Sequence, residues 1–178
     1  MFPKIETERL VLREITQEDT DSIFACFSND EAMRYYGQEV FENIEQAEKL
    51  VSFFADSYLE NRGIRWGIER KGNPGLIGTM GFNAWSPKHQ RAEIGYEIHP
   101  EHWRQGYATE AAASILTYGF EFMNLARIGA IVFTENDGSN EMLIKLGFQK
   151  EGVLRNYMVQ SGVSHHTHMY SILKMRGR

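Results

Sequence analysis

The sequence predicts an α/β fold in the broad (α+β) sense, with helices packed on a mixed sheet, and three observations lead there. Ala92, Ile94, Tyr96 and Ile98 alternate with Glu93, Gly95 and Glu97, the period of two of a strand with one apolar face, and Pro100 ends the run. Ala108, Ala112, Ile115, Gly119 and Phe122 then recur at steps of three and four, the stripe of an amphipathic helix laid on a sheet. Further strand-like and helix-like segments lie on both sides of this pair, with no internal repeat and no low-complexity stretch.

In chain order, a strand is expected near Arg9 to Glu14, then helices near Gln17 to Phe27 and Ile44 to Glu60 that overhang the site. Strands follow near Arg65 to Arg70, Leu76 to Asn83 and Arg91 to His99, and a helix opens at Gly106. Ala130 to Thr134 reads as a buried strand and Gly138 to Lys145 as a short helix, with Gly147 just past its C-terminus. Phe148 to Val159 and His166 to Leu173 make a last hairpin across the Ser161-Gly162 turn.

Length and composition bound the function. The chain has 178 residues, 42% of them apolar, which suits one domain spanning 1-178 with a sizeable core. A formal charge of -5 and a pI near 5.7 argue against a general nucleic-acid surface, which needs a basic face, and favour a cationic substrate. No apolar run is long enough to cross a bilayer, and MFPKIETERL lacks a signal-peptide core, so a cytoplasmic location and no membrane partner are expected. The single cysteine, Cys26, excludes an intrachain disulfide, which fits a reducing compartment. Between Phe24 and Phe27 it reads as a small buried apolar residue.

The segment WRQGYATEAAASILTYGFEFM, Trp103 to Met123, places small residues where a bound phosphate needs them. Gly106 permits a backbone geometry that a side chain obstructs and Ala108 keeps the next turn slim, so unpaired N–H groups at the helix start can face one anion such as a pyrophosphate. No P-loop run occurs, and the second and third glycines of a dinucleotide fingerprint are missing. A strand carrying two carboxylates and a glycine on one face, followed closely by an anion-binding helix start, makes a compact site for a phosphate-bearing ligand and an acid–base step.

At these residues the chain resembles the GNAT acetyltransferases and, within them, the Rim-type ribosomal-protein N-terminal (alanine) acetyltransferases. Five blocks in the family's order carry the resemblance: ETERLVLREITQED, GLIGTMGF (expected as a hairpin), AEIGYEI, WRQGYATEA and TENDGSNEMLIKLGFQKEGVLR. The family's pattern of Gln or Arg, two residues, Gly, one residue, Gly or Ala falls on Trp103, Gly106 and Ala108, with Trp103 a departure that Rim-type members often share. The resemblance implies a mostly antiparallel seven-stranded sheet with about four helices and a V-shaped splay between the fourth and fifth strands. It implies acetyl-CoA as co-substrate and no metal, with the pantetheine arm against Ile94, Tyr96 and Ile98. The pyrophosphate would lie among Trp103, Arg104, Gln105, Gly106, Tyr107, Ala108 and Thr109. Arg104 is equally well read as a solvated loop arginine.

Acetyl transfer needs a neutral amine and a proton for the departing thiolate. An α-amine, with a pKa of about 7.7 to 8.0, gives up its proton more readily than a lysine at about 10.4. Glu93 and Glu97 share the face toward the gap, and either can take the proton directly or through one water, Glu93 being preferred; the alternative for either is an ordinary surface carboxylate. Many family members place a tyrosine acid on the helix before the LGF motif, but here that position is Leu143. Ser139 is then expected to donate to the sulfur and Asn136 to hold the pantetheine arm, or both to cap the helix. Tyr35 and Tyr36, near Gly37, are candidates for the acceptor cleft, while Phe41, Phe53, Phe54 and Trp66 read as core.

His165, His166 and His168 invite a metal reading, but alternation puts only the last two on one strand face. Relatives often carry an aspartate near His165-His166, so this chain departs from them there. The expected function is direct acetyl transfer to a primary amine, most naturally a protein N-terminus, with a polyamine or amino sugar as alternatives. A non-catalytic acetyl-CoA-binding module is the reading from another class, disfavoured by the retained Glu93, Glu97, Asn136 and Ser139. Homodimer formation stays open.

Overall fold

The computed structural model describes residues 1–176, with eight strands in one sheet and five α-helices. In chain order these are β1 (Ile5–Glu6), β2 (Leu10–Glu14), α1 (Thr20–Phe27), α2 (Asp30–Met33), α3 (Ile44–Leu59), β3 (Ile64–Arg70) and β4 (Asn73–Ser86). Then come β5 (Arg91–Ile98), α4 (Tyr107–Phe122), β6 (Arg127–Phe133), α5 (Asp137–Lys145), β7 (Gln149–Gln160) and β8 (Val163–Leu173), with 3-10 turns at Gln17–Asp19 and Pro100–His102. The two-residue β1 and the four-residue α2 bring the expected seven strands and four helices to eight and five. The GLIGTMGF block is a single run within β4 rather than a hairpin.

The sheet order is β1-β2-β3-β4-β5-β6-β8-β7, antiparallel throughout except for β5 beside β6. That parallel pairing lasts only from Arg91↔Arg127 to Glu93↔Gly129. Beyond it, β5 keeps pairing with β4 as far as Ile98 and β6 with β8 as far as Phe133. The sheet therefore opens into a V whose two inner edges carry unpaired main-chain groups.

Alternation sends apolar residues to both faces, and helices cover each. On one side Ala111, Ala112 and Ile115 of α4 join Leu12, Trp66, Met80, Ile94, Ile128 and Leu143 in the larger core. On the other, Ile23 and Phe27 of α1, Met33 of α2 and Ala47 and Val51 of α3 form a smaller one. Cys26 is buried there, its thiol pushed up by desolvation and aimed at the Ile77 carbonyl at 3.7 Å. Two expected core members lie outside: Phe122, at the end of the α4 stripe, is 73% exposed, and Phe53 on α3 is 54% exposed. No helix among the described residues is long and apolar enough to cross a membrane.

Candidate active site

The α4 start differs from the starts of α2, α3 and α5, and, unlike α1, which continues from a capped 3-10 turn, it follows an open loop. Thr16, Asn29, Asn43 and Asn136 each place a side-chain oxygen on a backbone N–H at the beginning of the first 3-10 turn, α2, α3 and α5. Gly106, in the left-handed region at φ 81°, opens α4 with no side-chain cap. The first N–H groups of α4 are thus left for an outside acceptor, and the helix dipole favours an anion. The Trp103 indole N–H donates to the Ile98 carbonyl at 2.6 Å, fastening the loop to the end of β5, while Arg104 is exposed with a φ of 61°.

A second brace comes from the β1–β2 turn. The Arg9 guanidinium donates to the Gln105 carbonyl at 2.8 Å and to Glu110 Oε1 at 2.7 Å, and lies 4.5 Å from the centre of the Tyr107 ring. The Thr7 hydroxyl and the Arg9 N–H donate to Glu110 Oε2 at 2.5 and 2.9 Å. Partial burial pushes the Glu110 carboxyl up, but the bonds from Thr7 and Arg9 outweigh it and hold the group below its usual range. A pyrophosphate fits this helix start, and an amide-bearing arm fits the open edges of the V.

On the opposite face of the sheet the two carboxylates of β5 have different surroundings. Glu97 is 3% exposed, and its Oε2 accepts from Arg65 Nη2 at 2.5 Å and from the Tyr36 hydroxyl at 3.3 Å. Its Oε1 accepts from the Thr79 hydroxyl, and Arg65 Nε donates to Thr79 Oγ1 at 2.8 Å. The register explains the cluster. Arg65, Gly81 and Gly95 lie in one row across β3, β4 and β5, so the guanidinium crosses two residues without side chains to reach Glu97, which is paired with Thr79. Burial pushes the Glu97 carboxyl up against the pull of Arg65, Thr79 and Tyr36.

Glu93 lies where the V begins, half-buried beside Gly129, in a recess shared with Arg91, Arg127 and Met169. Among the described residues no donor is hydrogen-bonded to its carboxylate. Desolvation pushes its carboxyl up, partly offset by the charges of Arg127 and Arg91. Glu93 therefore has free lone pairs, whereas both oxygens of Glu97 are engaged.

Across the gap, on the α4–α5 side, the hydroxyls of Tyr96 on β5 and Ser139 on α5 are hydrogen-bonded to each other. Asn136 caps α5, its Oδ1 accepting from the Ser139 N–H at 3.3 Å. Asn140, which the sequence did not single out, ties α5 to the sheet: its Nδ2 donates to the Phe133 and Asn136 carbonyls at 3.1 and 2.8 Å. Its Oδ1 accepts from the Tyr170 hydroxyl at 2.5 Å and stands 2.8 Å from His168 Nδ1.

The structure thus gathers Tyr36 and Glu97 into one cluster with Arg65 and Thr79, and Tyr96 and Ser139 into another. Tyr35 stands apart against Phe133, ring centres 6.4 Å apart. The histidines have separate partners: His165 stacks on Phe133 and faces Glu135, and His166 Nδ1 accepts from the Asn156 N–H at 2.8 Å. Arg65, Thr79, Arg9 and Glu110 escaped the sequence reading. A charged residue inside the otherwise apolar stretch IRWGI, Ile64 to Ile68, was the one available signal for Arg65.

Comparison with known proteins agrees with this geometry. The family model for the acetyltransferase (GNAT) domain matches residues 9–149. YoaA of Bacillus subtilis strain 168, an uncharacterized N-acetyltransferase, is 59% identical over 176 residues, 99% of each chain. The crystal structure of a spermidine N-acetyltransferase from Vibrio cholerae, in complex with CoA and spermine, superposes with a TM-score of 0.84 at 26% identity, covering 94% of this chain and 96% of that one. The ribosomal L7/L12 α-N-protein acetyltransferase RimL, with coenzyme A, shares the fold with a TM-score of 0.86 at 19% identity, covering 96% and 98%. An opened sheet, an uncapped helix start and a family model spanning most of the chain make this protein a member of the GNAT family, an acetyl-CoA-dependent N-acetyltransferase.

Proposed function

We propose that the acceptor is the α-amine of a peptide or protein, with Glu93 as the base that removes its proton. The charge balance of the acceptor face carries the reading. Its deep carboxylate, Glu97, is neutralised by Arg65, and Glu93 has Arg91 and Arg127 beside it. A polyamine carries several spaced cations and calls for several unpaired carboxylates, whereas a peptide N-terminus brings one amine followed by neutral amides. Its pKa of about 7.7 to 8.0 also means that, near neutral pH, a modest base such as Glu93 can take its proton, where a lysine at about 10.4 would need more help.

In this reading Glu93 accepts the amine proton, directly or through one water. Arg65, Thr79 and Tyr36 hold Glu97 as a fixed wall of the cleft. The α4 start and the open edge of β5 hold acetyl-CoA, which supplies the activated acyl group. Spermidine is the second reading, because the V. cholerae structure names spermine as its ligand. One assay separates them: CoA release with a panel of N-terminal peptides, spermidine, spermine and aminoglycosides, with products mapped by mass spectrometry. At least tenfold higher kcat/KM on peptide α-amines than on any polyamine is expected. Turnover confined to polyamines, or acetyl groups found mainly on lysine side chains, overturns the proposal.

A further inference from the structure

The helix position where related enzymes supply a tyrosine acid is Leu143 here, 1% exposed and part of the core, so no proton donor comes from that place. The departing sulfur nevertheless needs a proton on the side of the sheet from which the cofactor arm enters, opposite Glu93. Alternation along β5 puts Tyr96 on that side, its backbone three residues past the point where β5 and β6 part. Its hydroxyl reaches across to Ser139 at the first turn of α5. The nearby Tyr170 hydroxyl already donates to Asn140.

The geometry points to Tyr96 as the acid that protonates the departing thiolate, with Ser139 as the positioning residue that aims the phenol and returns its proton from solvent. The assignment rests on the amine arriving over Glu93, as proposed above. The amine lone pair forms the new N–C bond and Glu93 takes the released proton. The C–S bond breaks with its electron pair moving to sulfur, and sulfur takes the Tyr96 proton. The phenolate takes the Ser139 proton, which water replaces across the half-exposed side of α5, and Glu93 releases its own to solvent. The net change is amine plus thioester to amide plus thiol.

Acid strength selects Tyr96 over Ser139. A phenol has an ordinary pKa of about 10 against about 8.5 for a thiol, so it is the closer match for proton transfer to a departing thiolate, and an aliphatic alcohol is a far weaker acid. Desolvation pushes the Tyr96 hydroxyl up, against the Ser139 hydrogen bond, so the phenol is protonated at neutral pH.

The test compares wild type, Tyr96→Phe and Ser139→Ala by three readouts. These are acetyl-CoA affinity by calorimetry, kcat on whichever amine wild type acetylates fastest, and the thiol pKa of bound CoA. The last is read from thiolate absorbance as the difference between CoA and desulfo-CoA complexes, so it needs no amine and cancels the tyrosine signal. Tyr96→Phe should keep acetyl-CoA affinity within about threefold, lower kcat by about 10²-fold and raise the bound thiol pKa by about one unit. Ser139→Ala should act in the same direction with a loss of about tenfold, and it carries the test if Tyr96→Phe does not fold. A kcat within threefold of wild type, an unchanged bound thiol pKa, or a loss confined to acetyl-CoA affinity overturns the assignment. Failure of the acceptor reading leaves the thiol measurement intact, so the two are distinguishable.

Discussion

Glu93 and Glu97 are four residues apart on one strand face, yet Glu97 is bonded to Arg65, Thr79 and Tyr36 while Glu93 is half-buried in an open recess, and the two are proposed to differ in role accordingly. Removing the Glu97 charge leaves Arg65 buried without its counter-ion, and breaking such a pair costs about 3 kcal/mol or more. Glu97→Gln should therefore lower the melting temperature by roughly 10 °C in a chain of this length, a shift calorimetry reads directly. Glu93→Gln should leave the melting temperature nearly unchanged and lower kcat about 10²-fold or more, with acetyl-CoA affinity preserved. A base works only when ionised, and burial raises the Glu93 carboxyl above its usual range. Wild-type kcat/KM should thus fall as pH drops through that raised value, and the Glu93→Gln variant should lose this acid limb. A melting temperature unchanged in Glu97→Gln sinks the structural role given to that residue. The carboxylates were legible from alternation alone, but their division of labour was not, because it depends on Arg65 crossing from β3 over Gly81 and Gly95.

The uncapped start of α4, the proposed anion site, is held by braces from distant parts of the chain as well as shaped by its own glycine. Gly106 at φ 81° is strained by any side chain, so Gly106→Val should weaken acetyl-CoA binding by at least 10²-fold in calorimetry on the folded variant. Glu110 is a carboxylate in the first turn of the helix proposed to face the pyrophosphate, and Arg9 neutralises it. Arg9→Ala should uncover that charge and weaken acetyl-CoA by about fivefold, in keeping with a partly exposed, screened pair near a helix start. Removing both Arg9 and Glu110 should recover part of the loss, and a double variant no better than Arg9→Ala alone would exclude the charge explanation. Small residues and helix periodicity made Gly106 readable in the sequence. Arg9 was not readable, because about a hundred residues separate it from Glu110 and only the sheet order brings them together.

At the scale of the whole molecule, the V between β5 and β6 is bridged from lip to lip. Strand periodicity could locate β5 and β6 but not their parting, which was expected only from family resemblance, since pairing is a property of neighbours rather than of one strand. The bridge itself left no sequence signal. The α2–α3 loop hangs over the β5 side, and the β7–β8 hairpin continues the sheet from β6. At its tip Gln160 Nε2 donates to the Met33 carbonyl at 2.7 Å, and Gln160 Oε1 accepts from the Gly37 N–H at 2.9 Å. The Ser161 N–H and hydroxyl donate to the Glu39 carboxylate at 2.5 and 3.2 Å. These bonds tie the loop that carries Tyr35 and Tyr36 to the β7–β8 hairpin while leaving the α4 start untouched. Gln160→Ala removes both bonds made by that side chain and frees the loop, so it should raise the acceptor KM by about three- to tenfold and speed amide exchange across residues 34–41. Acetyl-CoA affinity should stay within twofold of wild type, because the proposed cofactor site lies at α4 and the inner edge of β5 rather than at the clasp. Equal losses for acceptor and acetyl-CoA would instead mean that the clasp holds the two halves of the sheet together, and faster exchange in β5 and β6 would accompany that outcome.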